Sequence, residues 1–266
     1  MFEAKLGYPV YEISHKYVET PSADQYAQHM HDCCELLLFV QGDAEYNVDG
    51  ILYRPRPYDL LAIPKATYHC FIPKAPVPYE NYVLDFHQAL IPPQHAKKLF
   101  SHPWIINIKN DAEFCHFFRM LDVYHKTYEE EDFAVCAEAL LRELLVFGSY
   151  RMENSVKVEP SRNPLVDSMI RLISEHIEEP IDADFLAREM MLSKSYLQNV
   201  FSQAMQIGLK QYIMQKKIFA AHNDLMSGMS SGAVCAKYGF SDYSVFFRMY
   251  KKTLGYSPRQ AKQLGL

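Results

Sequence analysis

The stretch GFSDYSVFFRMYKKTLGYSP, residues 239–258, decides the fold of the C-terminal part of this 266-residue chain. Gly239 supplies a turn conformation that residues with a Cβ atom resist. Phe240, Phe246 and Tyr250 follow as an apolar set that can anchor a helix inward. This pattern predicts the turn and second helix of a helix–turn–helix unit, the motif whose second helix enters the major groove of DNA. The alternative is a structural helical hairpin with a basic surface.

The same pattern occurs 48 residues earlier up to the turn and 49 residues earlier after it. Asp182 matches Ser230, and Ser193 matches Asp242. Asp182 and Ser193 are predicted N-caps, and a long helix from about Leu209 to Met226 is predicted between the two copies. Such an internal repeat predicts two units of one kind. The predicted elements are an all-α domain, 164–266, with helix–turn–helix units at about 182–205 and 230–252.

Charge is distributed unevenly along the chain, although the whole sequence has a formal net charge of −5. Residues 161–266 contain 13 Lys and Arg against 9 Asp and Glu, whereas residues 1–160 contain 14 against 23. Within residues 194–266, 10 basic residues stand against 2 acidic ones. A basic segment on an acidic chain is typical of a DNA-binding module attached to a domain with another role.

The outward-facing side chains of the two predicted second helices are candidates for contacts with double-stranded DNA. Groups near the start of such a helix can meet base edges, and lysines further along can meet phosphates. The candidates are Ser195, Tyr196, Gln198 and Asn199 in the first unit and Tyr243, Ser244, Phe247, Arg248, Lys251 and Lys252 in the second.

The first 110 residues are predicted to be β-structure. Short apolar or alternating segments, such as Leu36–Val40 and Tyr82–Phe86, are separated by glycines and prolines. Asp49 and Gly50 form a strong hairpin signal. Many short strands at close spacing predict a small barrel or a double-sheet sandwich.

Helical periodicity replaces this pattern between residues 111 and 152, and an acidic break at Glu129–Asp132 divides the segment into two predicted helices. Residues 153–163 are polar and without periodicity, as linkers are. No apolar run approaches the ~20 residues that a membrane helix needs. The first residues lack the layout of a secretory signal, and the six cysteines have no disulfide spacing. We therefore expect a cytoplasmic protein that does not enter a membrane.

The C-terminal pattern resembles the AraC-type (AraC/XylS) family of bacterial transcriptional regulators. The second unit carries the resemblance at Gly239, Phe240, Ser241, Asp242, Ser244, Phe246, Arg248, Lys251, Lys252, Gly255, Ser257 and Pro258. The first unit fits at Leu186, Ala187, Ser193, Ser195, Tyr196, Leu197, Phe201, Tyr212 and Ile218. It departs at Met191, Asn199, Ser202 and Lys217, where the family favours Gly, Arg, Lys and Arg. The resemblance implies a DNA-binding domain of seven helices.

The N-terminal part resembles a sensor domain of the cupin type. The matching positions are His29, His31, Glu35, Gly42, Pro64 and His69, with Ala66 in place of a glycine. In cupin enzymes, residues at the places of His29, His31, Glu35 and His69 hold a transition metal, which is one alternative here. The alternative that we favour has no cofactor, and these groups hydrogen-bond to an effector. The expected effector-binding residues are His29, His31, Glu35, Tyr46, His69 and Tyr82.

The two resemblances together imply an α+β multidomain regulator. A cupin-like β-barrel (a double-stranded β-helix), residues 1–110, would sense a small-molecule effector, with a sugar as the family-level expectation. The helices of 111–152 would form a homodimer or, alternatively, cap the barrel. RNA polymerase is a further expected partner. The alternative function, a metal-dependent cupin enzyme with an accessory helical domain, leaves residues 181–260 without a role.

Overall fold

The computed structural model describes residues 1–22, 26, 29–151 and 163–264, so the predicted linker lies outside the described residues except for Asn163. The chain divides into two compact units. Unit 1 comprises the described residues within Met1–Ala27, Cys33–Val48 and Tyr53–Pro160. Unit 2 comprises those within Gln28–Asp32, Asp49–Leu52 and Ser161–Leu266. No helix in the part of the chain that the structure describes is long and apolar enough to cross a membrane.

The N-terminal part contains the strands, as predicted. In chain order they are β1 (Phe2–Lys5), β2 (Val10–Val18), β3 (Cys34–Gln41), β4 (Ala44–Val48), β5 (Ile51–Tyr53), β6 (Asp59–Ile63), β7 (His69–Pro73), β8 (Tyr79–Phe86) and β9 (Trp104–Asn107). Six of them form one sheet in the order β1-β2-β8-β3-β6-β9, and three form a second in the order β5-β4-β7. The described strands thus form two separate sheets and not the closed barrel that the cupin resemblance implied.

The register of the central strands decides which face of the larger sheet each side chain occupies. Glu35 of β3 lies opposite Asp85 of β8, and Leu38 lies opposite Tyr82. Successive side chains of a strand point to opposite faces. Glu35 and Tyr82 therefore lie on opposite faces, which we call the inner and the outer face.

Helices cover the outer face of this sheet. They are α1 (Pro93–Phe100), α2 (Ala112–Thr127) and α3 (Glu130–Arg151). Asp111 caps α2, because its carboxylate accepts the N–H of Phe114 at 3.1 Å. Phe118 and Leu141 of these helices share one buried apolar cluster with Tyr82. The two helices predicted between residues 111 and 152 are confirmed as α2 and α3.

The described residues after the predicted linker form seven helices, as the resemblance implied. They are α4 (Pro164–Glu175), α5 (Ala183–Met190), α6 (Lys194–Met205), α7 (Leu209–Met226), α8 (Ser231–Lys237), α9 (Tyr243–Leu254) and α10 (Pro258–Leu264). The predicted N-caps are present. Asp182 accepts the N–H of Phe185 at 2.8 Å, and the Ser193 hydroxyl accepts the N–H of Tyr196 at 3.3 Å.

The long helix α7 joins two apolar cores. Near its start, Tyr212 packs edge-on against Phe201 of α6, with ring centroids 5.1 Å apart. Towards its end, Ile218 and Leu225 belong to a second buried cluster, which includes Phe246 of α9. A single continuous helix therefore carries both helix–turn–helix units. We call α5–α6 the first reading head and α8–α9 the second reading head.

Candidate DNA-binding surface and effector site

The second reading head presents the predicted DNA contacts on the exposed side of α9. The helix begins after Asp242, whose carboxylate accepts the N–H of Val245 at 2.9 Å, and this bond lowers the pKa of Asp242. Phe246 and Tyr250 are fully buried and fix the opposite side of the helix. The predicted contact residues are exposed, with Phe247 half-buried: Tyr243, Ser244, Phe247, Arg248, Lys251 and Lys252.

The first reading head has the same arrangement with a different chemistry. Leu197 and Phe201 are fully buried and anchor α6. The predicted contact residues are all exposed: Ser195, Tyr196, Gln198 and Asn199. The last turn of α6 has no basic residue, whereas the last turn of α9 carries Lys251 and Lys252. Both heads can therefore offer polar groups to base edges, but only α9 has lysines in its last turn, where such side chains can contact phosphates.

Glu35, on the inner face of the larger sheet, and His69, on β7 of the smaller sheet, form a polar centre in unit 1. Both side chains are buried, and Nε2 of His69 lies 3.6 Å from Oε2 of Glu35. Nδ1 of His69 donates to the carbonyl of Thr67 at 2.9 Å. A carbonyl oxygen only accepts hydrogen bonds, so Nδ1 carries a proton and the ring is held with Nε2 towards the carboxylate.

Tyrosines surround this centre where the two sheets face each other. Tyr46 of β4 and Tyr79 of β8 share a hydrogen bond between their hydroxyl groups. The ring of Phe71 lies 4.3 Å from that of Tyr79, centroid to centroid. Burial raises the pKa of both tyrosines, so both hydroxyls stay protonated, and the one that accepts in this bond can donate to a further group. The buried Oδ1 atom of Asn81 receives no hydrogen bond from the described residues. Buried acceptors of this kind favour a ligand that donates hydrogen bonds.

Tyr82 does not join this group, in contrast to its predicted role. It lies on the outer face, where its ring stacks on His15 at a centroid distance of 3.9 Å. Its hydroxyl donates to Asp122 of α2 at 2.6 Å. The two ring nitrogens of His15 lie 2.8 Å from Asp122 and 2.8 Å from Glu80. Tyr82 thus connects β8 to α2 and cannot line a site on the inner face.

The candidate ligands of the cupin-type motif are divided between the two units. Glu35 and His69 belong to unit 1, whereas His29 and His31 belong to unit 2. His29 is exposed and His31 is half-buried, and their ring centroids are 5.4 Å apart. A single site formed by all four residues remains a prediction.

Several residues around this polar centre were not predicted from the sequence. Tyr79 and Asn81 alternate on β8, and Phe71 follows His69 at the same period of two on β7. That alternation is visible in the sequence, but it does not tell which of the two faces is the inner one. The register to β3 supplies this information.

Comparison with known proteins assigns both parts of the chain. Residues 186–263 match a family model described as a helix-turn-helix domain, and residues 17–145 match one described as an AraC-like ligand binding domain. The chain belongs to the AraC-type family of transcriptional regulators. It is a DNA-binding regulator with an N-terminal ligand-binding domain and not an enzyme.

This AraC-type chain is also similar to individual proteins along most of its length. The transcriptional activator RhaR of Escherichia coli (strain K12) is 24% identical over 253 residues, which is 91% of this chain and 88% of RhaR. RhaR of Shigella boydii serotype 4 (strain Sb227) gives the same values. Among solved structures, ToxT from Vibrio cholerae O395 covers 95% of this chain and 96% of its own, with 9% identity and a TM-score of 0.42.

Proposed function

We propose that this AraC-type regulator reads one operator with both heads, by placing α6 and α9 in successive stretches of the major groove. The observation that carries the proposal is the burial pattern of the two helices. Leu197 and Phe246 are fully buried on the inner sides, while the ten predicted contact residues lie on the other sides. A helix–turn–helix contacts bases from the start of its second helix.

Regulation is proposed to come from a small polar effector at the inner face of unit 1. Glu35 and His69 offer a carboxylate and an imidazole within 3.6 Å of each other. Tyr46 of the smaller sheet, and Tyr79 and Asn81 of the inner face, add hydroxyl and amide groups. A few convergent polar groups among aromatic rings are typical of small-molecule sites, and a sugar fits such a mixture of donors and acceptors. The effector must bind two arrangements of the regulator with different affinity, because a ligand that binds both equally shifts nothing.

A homodimer is proposed to form through α2 and α3. These helices bury one side on the sheet, yet Val123 and Val135 remain exposed on them. RNA polymerase is proposed as a further partner, since the relative RhaR is named an activator. A protein with these partners works beside the chromosome, in the cytoplasm.

Selection of duplexes from a randomised pool with the full chain tests the proposed reading of DNA. We expect an enriched site with two conserved segments about one helical turn, ~10 bp, apart. Affinity for that site should fall steeply with salt, because phosphate contacts release counterions.

A matched pair of variants controls for charge. Replacing Lys251 and Lys252 by Ala should weaken binding to all sequences and reduce the salt slope. Replacing Lys97 and Lys98 of α1 by Ala removes the same charge from an exposed pair in unit 1. This change should alter neither the affinity for DNA nor its dependence on salt. No enriched sequence, or equal effects of the two pairs, would contradict the proposal.

A further inference from the structure

Lys217 is a buried lysine in the middle of α7, the helix that carries both reading heads. Only 7% of the residue is exposed. Its Nζ atom donates to the carbonyl of Glu179 at 2.8 Å and to the carbonyl of Tyr238 at 3.1 Å. Burial lowers the pKa of Lys217, because the buried ammonium group loses part of its hydration. A buried ammonium group is costly unless hydrogen-bond acceptors replace the lost water.

The two acceptors lie next to different reading heads. Glu179 lies just before α5, at the entrance to the first head. Tyr238 ends α8 and precedes the turn at Gly239 in the second head. A Cβ atom added to Gly239 would lie 4.0 Å from Nζ of Lys217, so the ammonium group sits beside this turn. One side chain on the shared helix thus hydrogen-bonds both to the segment that leads into the first head and to the end of α8 in the second.

Lys217 lies at a groove between the two reading heads. A cavity of about 430 Å³ separates the start of the first head from the turn of the second. Its lining includes Asp182 and Gln198 from the first head, Gly239 and Phe240 from the second, and Lys217 between them. Directional hydrogen bonds across this groove add to the apolar packing of each head on α7 in fixing the angle between the heads.

We infer that Lys217 is a positioning residue that sets the angle between the two reading heads and thereby the spacing between the two DNA segments that the regulator accepts. The inference rests on the proposed reading of one operator by both heads. Each base pair inserted between two segments moves them 3.4 Å apart and rotates one against the other. A rigid connection between the heads penalises this change, and a loose connection tolerates it.

The test uses the full chain and the duplex selected by the wild type, together with duplexes in which one base pair is inserted or deleted between the segments. Lys217→Met keeps the apolar stem and removes all donors. Lys217→Arg keeps the charge and the donors. Lys210→Met is the matched control, because it removes one positive charge from an exposed position of the same helix.

For the wild type and for the Lys210→Met and Lys217→Arg variants, we expect the changed spacing to cost about tenfold or more in affinity, as a mismatched base pair does. For Lys217→Met, the cost should fall to within about threefold, because two charge-assisted hydrogen bonds no longer hold the heads. The preferred bases within each segment should not change. A residue with only a structural role would lower affinity for all duplexes by one factor and leave the spacing preference intact.

A full spacing penalty in folded Lys217→Met would overturn the inference while leaving the proposed function in place. A wild type without any spacing penalty would overturn both. If circular dichroism shows that Lys217→Met does not fold, Lys217→Gln replaces it, since its side chain is one atom shorter and its neutral amide forms weaker hydrogen bonds than the ammonium group. We expect an intermediate penalty for Lys217→Gln, and a full penalty there would also overturn the inference.

Discussion

Met191 and Gly239 both have a positive φ angle at matching places of the two reading heads, although only one of them is a glycine. Their φ angles are 53° and 71°, both in the left-handed region. The N–H of Met191 donates to the carbonyl of Arg188 and that of Gly239 to the carbonyl of Ala236, each at 3.3 Å. The internal repeat of the sequence is therefore also a repeat of turn geometry, and the methionine adopts the conformation that a glycine adopts more easily.

Replacing Met191 by Gly should stabilise the protein by up to about 1 kcal/mol. A side chain in the left-handed region costs roughly 1–2 kcal/mol, and the greater freedom of an unfolded glycine offsets part of that gain. Little apolar burial is lost, because Met191 is 91% exposed. The free energy of unfolding in urea checks this. Gly239→Ala is the mirror-image control and should destabilise by about 1 kcal/mol; equal signs for the two changes would contradict the argument.

Replacing Val135 by Glu should convert the proposed dimer into monomers. Val135 lies on α3 with 71% of its surface exposed, and a charge in an apolar interface is repelled by its own copy across the two-fold axis. Sedimentation velocity measures the change. Val77→Glu places the same charge at an exposed valine outside α2 and α3 and should leave the dimer intact. A dimer that persists in Val135→Glu would move the interface elsewhere.

Replacing Glu35 by Gln should weaken effector binding by about tenfold or more, because hydrogen bonds to charged groups are worth roughly 1.5–3 kcal/mol. Tyr46→Phe removes one neutral hydroxyl from the same cluster and should cost tenfold or less. Thermal shifts with a panel of monosaccharides and other small polar compounds identify a ligand for these measurements. Tyr17→Phe, at an exposed tyrosine of β2, is the control. Unchanged affinity in Glu35→Gln would place the effector elsewhere.

The sequence predicts well the structural features that depend only on residues close together in the chain, such as helix caps. Asp182 and Ser193 cap helices by bonds to N–H groups two or three residues later, so their roles follow from spacing alone. The place of Tyr82 could not be predicted in this way. Alternation separates it from Asn81, but only pairing with β3 and packing of α2 decide which residue faces the second sheet.

Closure of the strands and the surroundings of Lys217 are likewise set by distant parts of the chain. A closed barrel requires the edge strands of both sheets to pair, and no local pattern contains that information. The carbonyl partners of Lys217 lie 38 and 21 residues away in the sequence. From the sequence, Lys217 was recognised only as a departure from the family pattern, because its hydrogen-bond partners could not be identified.

Replacing Tyr82 by Phe should reduce the response to the effector and leave effector affinity almost unchanged. Neighbouring residues of β8 point to opposite faces of the sheet. Asn81 lies on the inner face, where the effector is proposed to bind, and Tyr82 lies on the outer face, where it donates to Asp122 of α2. If effector binding moves β8, the hydrogen bond from Tyr82 to Asp122 would move α2 with it. The measurement is operator affinity with and without effector. Tyr17→Phe is again the control, and a full response in Tyr82→Phe would exclude this route.

Arg248 and Asn199 should make unequal contributions to sequence discrimination, with the second head contributing more. Both side chains are exposed on the second helix of their head. The planar fork of Arg248 can contact guanine O6 and N7 together, and such a pair is worth ~1–3 kcal/mol of discrimination. Asn199 prefers adenine and is shorter.

Duplex selection with each variant distinguishes these contributions. Arg248→Ala should relax the preference at one base pair under the second head, whereas Asn199→Ala and Gln198→Ala should relax the first segment less. Lys251→Ala is the control, because loss of a phosphate contact weakens all sequences about equally. A wild-type site whose strongest positions lie under the first head would contradict the ranking. So would a larger loss of preference in Asn199→Ala than in Arg248→Ala, since the shorter side chain would then be the better reader.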